Sequence, residues 1–205
     1  MGKSHLVRPT PPNFIPEPWA TQKTALYVLG AGFSAAAGLP LANGLWREVY
    51  RRALSMTGWA SQFREDLDEY VEFKEKCDGV RLERDQVDFE EFLGFLDIEH
   101  YLRLRGKDTW SDDGNETQVI IKTLIGQILT EKTPQSHAIP KLYMRFAERL
   151  QPHDRIITFN YDVLLERACE AVGKPFRLGH GHSLSRDEVI TIFKLHGSID
   201  WFDKK

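Results

Sequence analysis

Three short polar stretches, far apart in the chain, carry the side chains that could do chemistry. They are the glycine-rich stretch at 30–34 (Gly-Ala-Gly-Phe-Ser), the asparagine stretch at 158–162 (Thr-Phe-Asn-Tyr-Asp) and the histidine stretch at 194–198 (Lys-Leu-His-Gly-Ser). Each follows a run of β-branched or aromatic residues that is typical of a strand. Because ligands of open parallel sheets bind at the carboxyl ends of the strands, the three stretches predict one shared pocket. The glycines favour a phosphate-bearing ligand.

The glycine-rich stretch admits two interpretations. Gly30 and Gly32 could form a tight turn before a helix, so that backbone amides approach a diphosphate while Ser34 donates its hydroxyl. Alternatively, the glycines only permit close packing and Ser34 caps its helix. A dinucleotide fingerprint requires a third glycine three residues after the second, whereas the next glycine here is Gly38. The stretch therefore does not match the fingerprint of hydride-transfer enzymes.

Asn160 and Asp162 flank an aromatic residue at the end of a predicted strand. Either side chain could cap the helix that begins near Val163, and such caps are common. In a functional interpretation, the amide of Asn160 offers both a donor and an acceptor, so it could hold a water or a sugar hydroxyl. Asp162 could accept a hydrogen bond from a carboxamide. A nicotinamide riboside has these requirements, although the pair alone does not prove such a ligand.

His196 ends an apolar strand and precedes Gly197, which lets the backbone turn and leaves space beside the ring. An imidazole titrates near neutral pH and can take a proton from a hydroxyl. A single histidine in such a place is more often a satisfied core residue. His180 and His182 lie in a glycine-rich loop, where a metal site would need a third ligand that the sequence does not identify.

The elements that must position these stretches follow an α/β pattern. The apolar run at 25–29 predicts a buried strand, and residues 155–159 and 189–195 predict two more strands. From about 45 to 150 the apolar spacing is helical. This long helical block predicts an insertion over the sheet, because it exceeds the usual length of one crossover connection. We therefore predict a Rossmann-like α/β domain with a parallel sheet and a large helical insertion.

This domain is predicted to span residues 25–205, after an extended arm at 1–24 that holds half of the ten prolines. The net charge of −3 gives no basic field that would favour nucleic acid or acidic lipid. No apolar run approaches the ~20 residues that a membrane span requires. The two cysteines, Cys77 and Cys169, build neither a disulfide framework nor a four-cysteine zinc site. We expect a cytoplasmic protein without a bound metal.

Taken together, the three stretches resemble motifs of the Sir2 (sirtuin) superfamily. Its Gly-Ala-Gly-x-Ser opening is similar to residues 30–34, and its Ala-Gly-Ile-Pro continuation resembles residues 37–40. Its Thr-Gln-Asn-Ile-Asp motif resembles residues 158–162, and its His-Gly step resembles His196 and Gly197. The resemblance covers the sheet parts, about half of the chain. The closest likeness is to the Sir2-like domains of bacterial antiphage defence proteins, which carry Thr-x-Asn-Tyr-Asp, lack the zinc cysteines and hydrolyse NAD.

The resemblance implies hydrolysis of NAD, as the substrate, to nicotinamide and ADP-ribose in a regulated effector of antiphage defence. Asn160 would position the attacking water and the nicotinamide ribose, and His196 would act on a ribose hydroxyl. Asp162 would recognise the carboxamide. The diphosphate and the adjoining ribose would be cradled by Gly30, Ala31, Gly32 and Ser34. Control by homo-oligomerisation, a partner or a sensor domain is expected, because unregulated NAD hydrolysis would be toxic.

Two departures from the family bear on this interpretation. Deacylating sirtuins carry Asp-Phe-Arg after Gly-Ile-Pro and a four-cysteine zinc module, whereas Leu-Ala-Asn stands at 41–43 here and those cysteines are missing. The related domains also continue past the His-Gly step with more sheet, so we expect the domain to be incomplete at its C-terminus. The alternatives are a catalytically silent module that binds NAD or ADP-ribose and, less favoured, an NAD-dependent protein deacylase. An oxidoreductase comes last, because no acidic residue follows a second strand to bind an adenine ribose.

Overall fold

A computed structural model of the chain describes residues 24–58, 60–102, 104, 115–179 and 189–200. The predicted arm, apart from Thr24, lies outside these residues, and so do His180 and His182. None of the helices in the described ranges combines the length and the apolar character that crossing a membrane requires.

Over the described ranges the sheet has four parallel strands in the order β1-β2-β4-β3: β1 (Leu26–Leu29), β2 (Arg155–Thr158), β3 (Phe176–Leu178) and β4 (Ile190–Lys194). Leu29 of β1 lies opposite Thr158 of β2, which in turn lies opposite Lys194 of β4. The carboxyl ends of these three strands therefore coincide at one edge of the sheet. This register brings the three polar stretches to the same edge.

Seven α-helices accompany the sheet in the described residues: α1 (Gly32–Ala35), α2 (Ala42–Ser55), α3 (Ala60–Phe73), α4 (Phe89–Leu102), α5 (Glu116–Lys132), α6 (Lys141–Arg149) and α7 (Leu164–Ala171). A π-helical turn at Lys74–Asp78 follows α3, and short 3₁₀ turns occupy Arg84–Gln86 and Ser136–Ala138. Along the chain, helices α2 to α6 follow β1 and precede β2. The predicted α/β class, with a parallel sheet and a large helical insertion, is confirmed.

The helical insertion has an aromatic core of its own. The α2 residues Trp46 and Val49 are fully buried, as the apolar stripe of that helix predicts. The Trp46 ring lies edge-on to Phe92 of α4, with ring centroids 5.9 Å apart, and 6.1 Å from the Phe63 ring of α3. Such ring pairs add to the free energy gained by burying their large apolar surfaces. The insertion can therefore serve as a rigid wall beside the sheet.

The spacing of Leu142, Phe146 and Leu150 predicts a further helix, which α6 confirms. Leu150 is buried and Phe146 packs against the core, but Leu142 is 63% exposed, and Tyr143 and Ala147 are buried. The Tyr143 hydroxyl donates to the carbonyl oxygen of Phe33 at 2.7 Å, which joins the helix to the glycine-rich stretch.

Strand β1 is less buried than its apolar run predicts. Leu26 and Val28 are each 62% exposed, whereas Tyr27 and Leu29 are half-buried. Within the described residues β1 is an edge strand, and its Tyr27 side packs against α6, where the Tyr27 and Phe146 ring centroids lie 5.4 Å apart. The prediction of a strand is correct, and the prediction that it is buried on both faces is wrong for the described residues.

Candidate functional site

The three polar stretches meet in one pocket at the carboxyl edge of the sheet. The side-chain amide of Asn160 donates to Ser34 Oγ at 3.1 Å, which joins the asparagine and glycine-rich stretches directly. The pocket is a cleft that is partly open to solvent, with a cavity volume of about 140 Å³. Five of the predicted site residues line it: Ala31, Ser34, Asn160, Asp162 and His196. Gly30 and Gly32 lie in the same turn as Ala31.

The Asn160 side chain is held firmly but is only partly satisfied. Its backbone amide donates to Thr158 Oγ1 at 3.1 Å, and its side-chain nitrogen donates to Ser34. Its side-chain oxygen, Oδ1, is buried without a hydrogen-bond partner among the described residues. A buried polar atom without a partner costs about 1–3 kcal/mol. A water or a hydroxyl brought by a ligand is the kind of donor that would recover this free energy.

Asp162 has a structural role as well as a place in the pocket. Its Oδ1 accepts from the backbone amide of Leu164, the first residue of α7, at 3.0 Å. Val163 occupies the N-cap position, so neither Asn160 nor Asp162 is the N-cap residue itself, but Asp162 supports the helix start. The other carboxylate oxygen, Oδ2, is the one that could turn to a ligand.

The backbone of Asp162 is anchored by a buried ion pair that the sequence analysis missed. Lys194 Nζ donates to the Asp162 carbonyl oxygen at 2.6 Å and to Glu166 Oε1 at 2.8 Å, and the Lys194 side chain is 1% exposed. Burial raises the pKa of Glu166, and the charge of Lys194 opposes this effect. The signal in the sequence was a lysine at the end of an apolar strand, where a charge is expensive unless it is paired.

His196 lies at the mouth of the pocket and is not a satisfied core residue. Its side chain is 39% exposed, and its ring lies edge-on to that of Phe159, with centroids 5.1 Å apart. The Tyr161 ring lies 6.1 Å away. Gly197 follows with a φ of +97°, a value that favours glycine, so the chain turns directly after the imidazole. The ring is thus accessible to a ligand while two aromatic neighbours restrict it.

The glycine-rich stretch forms an open turn. The amides of Phe33 and Ser34 donate to the carbonyl oxygens of Gly30 and Ala31 at 2.9 and 3.2 Å. Apart from its chain neighbours, a Cβ atom added to Gly30 or Gly32 would meet no atom of the described residues within 4 Å, so packing among these residues does not require the glycines. Ser34 lies inside α1 and bonds to Asn160, so the alternative in which it caps the helix is wrong. The open space is what a closely approaching ligand needs.

The helical insertion supplies another part of the pocket wall, which the sequence analysis did not identify. Its contributing side chains are Ala42, Leu45, Phe89, Glu90 and Leu129. Glu90 is the charged member, and its Oε1 lies 3.6 Å from His196 Nδ1. Burial and, after it, the negative charge of Glu90 raise the pKa of Tyr161. In the described part of the chain, no group of three or more histidine, cysteine or acidic side chains could hold a metal ion.

The predicted role of this turn in binding a diphosphate can be tested by substitution of Gly32 with alanine. If the turn holds the diphosphate of NAD, the substitution should weaken NAD binding about tenfold, or about 1.4 kcal/mol, without destabilising the protein. The added methyl group meets no protein atom but occupies space that a diphosphate would approach, and alanine favours a helix over glycine by up to about 1 kcal/mol. Calorimetric titration and thermal unfolding measure the two effects. Gly126→Ala is the matched control, because Gly126 lies inside α5 with equally open surroundings and away from the pocket. Unchanged affinity in Gly32→Ala would contradict the assignment of this turn to the diphosphate.

A family model described as a SIR2-like domain matches residues 154–205. The matched segment contains the asparagine and histidine stretches, and with them Asn160, Asp162 and His196, but not the glycine-rich stretch. No curated protein sequence matches the chain.

Proposed function

The chain belongs to the Sir2-like superfamily, and from that premise we propose that it hydrolyses NAD to nicotinamide and ADP-ribose. The observation that carries the proposal is the environment of Asn160. Its amide is fixed by Ser34, and its buried Oδ1 has no partner among the described residues. Asn160 and His196 line the same pocket. An amide with an unused acceptor beside a ligand pocket is suited to hold and direct a water molecule.

For hydrolysis of NAD, the main task of the protein is to position the reacting groups. Nicotinamide leaves NAD as a neutral molecule, because the electron pair of the broken C1′–N bond goes to the positively charged pyridinium nitrogen. The oxygen of a water molecule bonds to C1′ and releases a proton. The site must hold the ribose, stabilise the positive charge that develops at C1′, and place the water. Asn160 would direct the water. His196 would accept the proton of a ribose hydroxyl, whose oxygen then takes up the proton that the water releases, and His196 would return its own proton to solvent.

The remaining site residues would bind the rest of the substrate. Asp162 Oδ2 would accept from the carboxamide of nicotinamide while Oδ1 stays with the Leu164 amide. The open turn at Gly30 and Gly32 would let backbone amides approach the diphosphate. Tyr143 would hold this turn in place through its bond to the Phe33 carbonyl oxygen.

The test is release of nicotinamide from NAD by the purified protein, measured by chromatography. We expect release by the wild type and a loss of about 10²- to 10⁴-fold in His196→Ala, the range that a general base contributes. His137→Ala is the matched control, since His137 is exposed in a 3₁₀ turn and does not line the pocket. A wild-type protein that binds NAD but releases nothing, with its oligomer or partner present, would support a silent binding module instead. Release that required an acylated peptide would support a deacylase.

We also propose that the activity serves antiphage defence under the control of an oligomer or a partner. This role rests on the likeness of the asparagine stretch to the Thr-x-Asn-Tyr-Asp motif of defence proteins. In bacteria that express the chain, phage infection should lower cellular NAD for the wild type and not for His196→Ala. Equal NAD levels in both strains during infection would contradict the role without contradicting the hydrolysis.

A further inference from the structure

Glu90 brings a carboxylate from the helical insertion to the histidine of the pocket. Its Oε1 lies 3.6 Å from His196 Nδ1, and the two side chains are 52% and 39% exposed. Two carboxylates line the pocket, and the other one, Asp162, already accepts from the Leu164 amide. Glu90, which also interacts with the Tyr161 phenol, is therefore the acid that lies nearest to the imidazole.

The start of α4 holds Glu90 in this direction. Asp88 caps the helix, because its Oδ1 accepts from the backbone amides of Glu90 at 2.9 Å and Glu91 at 3.3 Å. Phe89 and Phe92 are 3% and 0% exposed and so fix the rotation of the helix about its axis. The two neighbouring glutamates consequently face different surroundings, and only Glu90 faces the pocket.

Glu91 points away from the pocket and has partners of its own. Its Oε2 accepts from the Tyr70 hydroxyl at 3.1 Å and from Lys74 Nζ at 3.3 Å. The position next to Glu90 therefore carries the same charge in the same helical turn, equally favourable to the helix dipole. A comparison of substitutions at Glu90 and Glu91 therefore distinguishes loss of a negative charge at the start of α4 from loss of the carboxylate beside His196.

We propose that Glu90 is a positioning residue that holds the His196 ring with its Nδ1–H directed to the carboxylate. A neutral imidazole has one N–H and one acceptor nitrogen, so a proton fixed on Nδ1 leaves the lone pair on Nε2. Nε2 is then the atom that accepts the proton of a ribose hydroxyl. The inference rests on the proposed role of His196 in NAD hydrolysis and adds the group that sets its tautomer.

The residues around the His196 ring support the inference that Glu90 orients the imidazole. Phe159 and Tyr161 lie against the imidazole and limit its rotation, with centroid distances of 5.1 and 6.1 Å. Charge pairs as exposed as this one contribute little to stability. The interaction of Glu90 with the Tyr161 phenol helps to fix this aromatic neighbour beside the imidazole. A fixed tautomer of the imidazole matters directly to proton transfer.

The nitrogen chemical shifts of the His196 ring test the inference without any activity. They are recorded on ¹⁵N-labelled full-length protein at a pH about two units above the ordinary histidine value of ~6.5, and His196→Gln identifies the signals. We expect the wild type and Glu91→Gln to carry the proton on Nδ1, and Glu90→Gln to carry it on Nε2 or to mix both forms. The same tautomer in all three proteins would overturn the inference.

Kinetics of nicotinamide release give a second readout. Glu90→Gln should lower kcat by at least about tenfold, part of the 10²–10⁴ that a general base contributes, with KM within about twofold of the wild type. Glu91→Gln should leave both constants unchanged. A raised KM with unchanged kcat in Glu90→Gln would contradict a positioning role. If the wild type released no nicotinamide, the proposed function would fail, and the ring shifts would still decide the role of Glu90.

Discussion

Replacement of Asn160 by alanine should abolish nicotinamide release while leaving the protein about as stable as the wild type. The expected loss of kcat is at least about 10²- to 10³-fold, the range for removing one fixed polar group from a site where charge develops. Release from NAD by the purified variant measures the first effect, and denaturant unfolding measures the second. The combination is informative because most buried polar side chains cost stability when they are truncated.

The expected stability of the Asn160→Ala variant follows from the hydrogen bonds of the Asn160 side chain. Truncation removes the bond from Asn160 to Ser34 Oγ, which contributes about 1 kcal/mol. It also removes the partnerless oxygen Oδ1, whose burial costs about 1–3 kcal/mol. The two effects oppose each other, so the free energy of unfolding should fall by no more than about 1 kcal/mol, and it could rise.

Asn115 provides the matched control. It is equally buried, but its Oδ1 accepts from the Thr117 amide at 2.7 Å and caps α5. Asn115→Ala should lower the free energy of unfolding by about 1 kcal/mol and leave nicotinamide release unchanged. A variant at Asn160 that is clearly destabilised, or one that retains most of its activity, would show that this asparagine is a structural residue.

The strand ends of the site could be predicted from sequence because each signal is local. An apolar run, followed by glycines or by an amide and a carboxylate, shows where a strand stops and which side chains stand there. Parallel pairing then brings those ends together without further information. This reasoning brought Ser34, Asn160 and His196 to one pocket, and the register of β1, β2 and β4 provides the physical link.

The contacts that complete the site could not be predicted, because they depend on how distant elements pack. Glu90 faces His196 only because buried phenylalanines set the rotation of α4, and no local pattern distinguishes it from Glu91. Lys194 and Glu166 are 28 positions apart and meet only once α7 lies on the sheet. The three-residue strand β3 was missed because it is too short to show an alternating pattern.

Replacement of Lys194 by methionine should lower the free energy of unfolding at neutral pH by about 3–5 kcal/mol, the usual result of removing one partner from a buried ion pair. Glu166 would remain buried without its cation, and the Asp162 carbonyl oxygen would lose its 2.6 Å donor. The double variant Lys194→Met with Glu166→Leu should recover most of the stability, since it removes both charges. Urea unfolding measures both variants. Lys132→Met is the control, because its pair with Glu48 is more exposed and should contribute at most about 1 kcal/mol.

The free energy of unfolding of the Lys194→Met variant should depend on pH, because the variant leaves the Glu166 carboxylate without its cation. Burial already raises the pKa of Glu166 above its ordinary value of 4.5, and loss of the Lys194 charge removes the interaction that opposes this rise. A group whose pKa is higher in the folded state binds its proton more tightly there, so the stability it confers is full below the ordinary pKa and is lost as pH rises through the folded-state pKa. The deficit of Lys194→Met relative to the wild type should therefore be smallest below about pH 4.5 and grow toward neutrality. A deficit that stayed constant over this range would mean that lost packing, and not an unpaired carboxylate, accounts for the effect.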